Sequence, residues 1–197
     1  MCRFGSVFLV VSVVLLIGAA PAGAATGGGG PGTTLFSDSS ICSASGSGQV
    51  CTDTNLNVFP NGDGTESACV DIFTYAISST GRSRVISDES GCNLAGTLTV
   101  GTDLSVTLAS TDVGLFTCGR RSCSPSRTVS VSASDSPTSP VVTTTTKSTT
   151  TVGGCTYRTS TEEQDADVAG TLTIDSSTLD ETGFVIVVSQ RSTVHCH

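Results

Sequence analysis

AGTLTV at residues 95–100 returns as AGTLTI at residues 169–174, 74 positions later. At a period of two, Leu94, Gly96, Leu98 and Val100 share one side of the first phrase, and Ala95, Thr97 and Thr99 face the other way. Val168, Gly170, Leu172 and Ile174 repeat the pattern. A strand reads this way when one face meets a core and the other meets water. Residues 69–100 align without a gap on 143–174, with seven identities in 32 positions, Arg84 falling on Arg158 and Glu89 on Glu163. One reading is an internal duplication giving halves 41–115 and 116–197; the other is chance recurrence in a Thr-rich chain. Duplication requires the two phrases to be equivalent strands. Leu98 and Leu172 would then be buried, with Gly96 and Gly170 beneath a bulky neighbour or at a bulge.

The same short alternation runs outward from both phrases. VDIFTYAI (70–77), Leu104, Val106 and Leu108, VGLFTC (113–118), Val129, Val131 and Ala133, and FVIVV (184–188) each read as a strand. PNGDG at 60–64 is a turn cluster suited to a hairpin. Read instead as a calcium loop, NGDGTE at 61–66 would put Phe59 and Val70 at ligating positions, and neither can ligate. A helical period is absent after the N-terminal segment. About ten strands with frequent turns point to an all-β sandwich or barrel. The expected fold is a disulfide-stapled antiparallel β-sandwich of immunoglobulin-like architecture, without the Cys…Trp…Cys signature because the chain has no Trp.

Residues 1–24 read as a signal peptide: Arg3, an apolar run from Phe8 to Ile17, and the small-residue site Ala22-Gly23-Ala24. Residues 25–40 read as a Gly-rich flexible leader, and 41–197 as the all-β domain. A secreted protein follows, with no membrane span after cleavage. Of nine cysteines only Cys2 precedes the apolar run, so eight remain: Cys42, Cys51, Cys69, Cys92, Cys118, Cys123, Cys155 and Cys196. An even number in an exported chain reads as a disulfide framework. Pairing neighbours along the chain gives Cys42–Cys51, Cys69–Cys92, Cys118–Cys123 and Cys155–Cys196, each closing a loop within its own half.

Nine basic residues oppose 17 acids, for a net charge of −8. Loss of Arg3 with the signal makes it −9, eight against 17. Nucleic acid needs a positive surface, so it is not an expected partner. TTTTKSTTT at 143–151 reads as an edge strand guarded by Lys147, or as an O-glycosylated tract.

Three constellations could carry chemistry. Glu162, Glu163, Asp165 and Asp167 place four carboxylates within six residues, a pattern that calcium favours in loops; apart from calcium there, no cofactor is expected. His195 and His197 would share a face if the C-terminus is extended, a start toward a transition-metal site. CGRRSC at 118–123 could present its arginines to a trypsin-like protease. No G-x-S-x-G elbow is present, and both histidines lie among the last three residues. The resulting expectation is a non-enzymatic secreted or cell-envelope protein. It would act by binding an unspecified extracellular or cell-surface partner, or as a structural component. The alternatives are an extracellular hydrolase using paired carboxylates and a secreted protease inhibitor.

Overall fold

The computed structural model describes residues 32–118 and 122–196. The described residues form ten strands: β1 (Gly32–Ser45), β2 (Gly48–Pro60), β3 (Glu66–Ile77), β4 (Ser83–Leu94), β5 (Leu98–Val100), β6 (Val106–Cys118), β7 (Cys123–Pro137), β8 (Val142–Val152), β9 (Cys155–Ile174) and β10 (Ser177–Cys196). Every pairing is antiparallel. The all-β, disulfide-bearing class read from the sequence is therefore the one observed. The segment read as a signal peptide lies outside the described residues, as does the segment read as leader up to residue 31.

The ladder closes on itself. β1 through β4 pair in order, β4 meets β6, β6 meets β7, β7 meets β9, β9 meets β10, and β10 returns to β1. Eight strands form this ring, so the architecture is a barrel where a sandwich was expected. The strand that decides the difference is β1, whose first nine residues read as leader. Apart from Leu35 and Phe36 its start is Gly, Thr, Ser and Asp, which is leader composition. Yet Gly32–Asp38 pairs in register with Thr182–Val188, and Leu35 is fully buried. Phe36 stands opposite Phe184, with ring centroids 5.4 Å apart, and clasps the closing seam from outside. First and last strands are thus neighbours. Leu35, Leu56, Val70, Val113, Val131, Leu172 and Val185, drawn from seven strands, belong to one core. The halves 41–115 and 116–197 do not have separate cores.

Inner-face residues alternate as expected along Val129–Val131–Ala133, and the same alternation runs along Leu56–Val58, Ala68–Val70–Ile72 and Ala166–Val168. β6 changes phase. Val106 and Leu108 point inward, the register slips between Leu108 and Thr111, and Thr111, Val113 and Leu115 point inward after it. An extra residue of this kind bends a strand and helps a sheet to curl shut. The narrowest seam is β4–β6, with two registered pairs, Glu89 with Thr117 and Ser90 with Phe116. Gly91 lets the chains approach there, since a Cβ would meet the Gly114 carbonyl.

The four bonds are Cys42–Cys51, Cys69–Cys92, Cys118–Cys123 and Cys155–Cys196. Each joins residues directly opposite on paired strands. Neighbour pairing works because consecutive strands are hairpins. Alkylation without reduction, read by intact mass, should find no free thiol in the mature protein; two or more modified cysteines would contradict this. Removing the shortest bridge with Cys118→Ser and Cys123→Ser should cost about 2 kcal/mol, because a small loop constrains the unfolded chain least.

The sheet outgrows the barrel at one end. Among the described residues β8 pairs only with the first half of β9, and Ser189–Cys196 of β10 have no neighbour but β9. β8, Cys155–Asp165 and the end of β10 therefore make a three-stranded arm. β8 is exposed along its whole length, an edge strand with Lys147 at its centre.

The two AGTLT phrases meet different fates. In the second, Leu172 is fully buried inside a 20-residue strand with neighbours on both sides. In the first, Ala95, Gly96 and Thr97 lie outside any strand, and β5 is three residues long and pairs with β6 alone. Leu98 is only half-buried. Equivalent placement is thus not observed. What the phrases share is local. Each opens a hairpin that turns through a left-handed non-glycine residue, Leu104 (φ 66°) in one and Asp175 (φ 54°) in the other. Asp tolerates that conformation; Leu104 holds it while buried in the core.

Candidate functional site

Two places gather chemistry. The first lies inside the barrel. Asp135 on β7 stands opposite Gly170 on β9, and Gly170 stands opposite Glu181 on β10. All three are on the inner face, so the glycine leaves a gap between two carboxyl groups. A Cβ on Gly170 would sit 2.5 Å from Asp135 Oδ1 and would press into the Ser134 carbonyl. One row away, Ser37 on β1 faces Gly183 on β10. Asp135 and Glu181 are each 3% exposed and Ser37 is fully buried. No residue outside this trio hydrogen-bonds the Ser37 hydroxyl or any of the four carboxyl oxygens among the described residues. Burial pushes the Glu181 carboxyl up to about 8; the charges of Asp135 and Asp38 push the same way, against Ser37. Burial raises Asp135 too. Like charges this close in an apolar shell resist joint ionisation, so the pair holds a proton at neutral pH. Composition concealed this site. Ser37, Asp135 and Glu181 sit in three separate polar stretches, and the only sequence signal was a glycine on the inner face of AGTLTI.

The second place is the arm. Along β9 the even residues share a face, and register adds the odd residues of β8 and β10. Lys147, Ser160 and Arg191 form one row; Thr149, Arg158 and Thr193 form the next. Three of the chain's nine basic residues thus meet around Ser160, in a depression of about 230 Å³. Among the described residues no carboxylate oxygen comes within 4.0 Å of any of them; the ion pairs formed are those of Arg127 with Glu89 and Asp175. Acids gather elsewhere, on the outer face of β1–β4. Asp38, Asn55, Asp71 and Ser90 make one row there, and Ser40, Asp53, Phe73 and Asp88 the next. Burial, then Asp53, raises Asp38, and burial, then Asp88, raises Asp71. A third depression, about 450 Å³ beside Glu66 and Gly96, holds one carboxyl, raised by burial.

The acids expected to share calcium are not brought together. Glu162, Glu163, Asp165 and Asp167 lie within β9, not in a loop. Period two sends Glu162 to one face and Glu163, Asp165 and Asp167 to the other, where residues two apart are separated by about 6.6 Å along the strand. Among the described residues no group of three or more His, Cys, Asp or Glu stands where a metal could be shared. His195 is exposed at the end of β10, and His197 lies outside the described residues. Cys118 and Cys123, the ends of the CGRRSC segment, close β6 on β7 with a disulfide, and residues 119–121 lie outside the described residues. NGDGTE is a turn: Asp63 accepts from the Thr65 backbone at 2.9 Å, with Gly62 and Gly64 at positive φ.

No family model, curated protein or solved structure matches this chain.

Proposed function

We propose that this is an exported, non-catalytic protein that works by presenting surface to a partner outside the cell or in its envelope. The observation that carries the reading is the contrast between the two places just described. The carboxyl pair with shifted proton affinity is sealed in the core, with its oxygens out of reach of a substrate. The surface chemistry lies on an extended sheet arm. A glycosidase-type reaction needs two carboxyl groups flanking a bond in an open groove. Asp135 and Glu181 instead lie on the inner face of the barrel, each 3% exposed. Four disulfides and an N-terminal segment of signal-peptide pattern support export.

The test is a panel of polysaccharide and peptide substrates incubated with the wild type and with an Asp135→Asn, Glu181→Gln double variant. Neither protein should release product. Turnover by the wild type that the double variant loses would instead make the buried pair the active centre of a hydrolase.

A further inference from the structure

We infer that the Lys147–Arg158–Arg191 face of the arm is a binding site for a single phosphate or sulfate group. The inference rests on the binding reading above and names its ligand chemistry. Strand spacing sets the geometry. Lys147 and Arg191 flank Ser160 from the two neighbouring strands, so their backbones stand about 10 Å apart. Long side chains rooted there can fold inward over the Ser160 hydroxyl. Arg158 approaches from the next row, between Thr149 and Thr193. Three cations and, on the same face, the hydroxyls of Thr149, Ser160 and Thr193 thus line one shallow depression. A tetrahedral oxyanion can accept from several of these donors at once, and charge-assisted bonds of this kind are the strong ones. Arg adds a planar fork suited to phosphate and sulfate.

Electrostatics favours a single group over a long polyanion. The net charge is −8 and the outer face of β1–β4 is acidic, so an extended polyanion would be repelled beyond the patch. Three like charges without a carboxylate within 4.0 Å repel one another, and a bound anion relieves that repulsion. On the same face the nearest acid is Glu162, one row toward the barrel, which limits the site on that side.

The test uses the full mature, disulfide-bonded protein at low ionic strength, followed by amide NMR. Titration with inorganic phosphate and with inorganic sulfate should shift the amides of Thr149, Ser160 and Thr193 to saturation. Acetate and chloride should do so at least tenfold more weakly. Arg158→Gln and Arg191→Gln should each weaken phosphate binding about tenfold with the circular dichroism spectrum unchanged; should either variant fail to fold, the wild-type titration decides alone. A sulfated disaccharide that saturates the same amides at lower concentration than inorganic sulfate assigns the group to a glycan; the reverse order assigns it to the free ion. The inference is overturned if phosphate shifts the arm no more than chloride does. Salt-sensitive self-association that Arg191→Glu abolishes overturns it too, because the patch would then serve the acidic face of a second copy. Neither of these results touches the non-catalytic reading, which fails only on turnover.

Discussion

The protein should be several kcal/mol more stable at pH 5 than at pH 8, and Glu181→Gln should remove most of that difference. In the fold Glu181 binds its proton up to about pH 8, against an ordinary value of 4.5. Between those limits the native state holds a proton that the unfolded chain has released. Stability therefore falls as pH rises through the window and levels off above it. At about 1.4 kcal/mol per unit, the full window amounts to at most on the order of 5 kcal/mol. Asp135, also raised, adds in the same direction from its own lower limit. Below about pH 3 both groups are largely neutral in either state, and the pair contributes little further slope. Urea denaturation of the wild type from pH 4 to 9 should trace this fall. Glu181→Gln keeps the volume and offers Asp135 an amide donor without the second charge to bury, so its curve should lie higher at pH 8 and keep only the smaller slope that the buried Asp135 contributes. Glu162→Gln, on the exposed arm, serves as control and should leave the slope intact. A wild-type curve level between pH 5 and 8 would remove the buried proton from the account.

Leu172→Ala should cost about 2–5 kcal/mol, and Leu98→Ala clearly less, about 1–2 kcal/mol. Leu172 is fully buried, held between β7 and β10 with Ala133 and Leu179 opposite. Its removal leaves a hole that a closed barrel cannot collapse to fill. Leu98 is half-buried on a three-residue strand with one neighbour, and that hairpin can settle inward. Equal losses in the two variants would falsify the unequal placement of the repeated phrase. The comparison is clean because the flanking residues are the same, Gly-Thr before and Thr after.

Local order along this chain was legible because it is written in periods and spacings. Alternation at Val70–Ile72, Val129–Ala133 and Val168–Ile174 marked strands with one wet face. Hairpin connection of consecutive strands then made neighbour pairing of cysteines correct. The Thr-rich run with its central Lys147 read as an edge strand and is one. These inferences need only a residue and its near neighbours in sequence.

What the tertiary structure alone decided is which strands meet at long range, and what that meeting encloses. Ser37 lies 98 positions from Asp135 and 144 from Glu181, and no local pattern says that the three will share a core. The start of β1 looked like leader because its inner face carries Thr33, Ser37 and Ser39 besides Leu35. The polar members become interior residues only once β10 folds back against β1 and the ring closes. The acids of β9 looked like a calcium loop because proximity in sequence was taken for proximity in space. A strand that runs through them turns adjacent side chains to opposite faces. The cationic patch was invisible for the complementary reason. Lys147, Arg158 and Arg191 are scattered in sequence and outnumbered by acids, and only the register of three strands brings them around Ser160. Backbone pairing acts across the chain, and it determines which distant charges become neighbours.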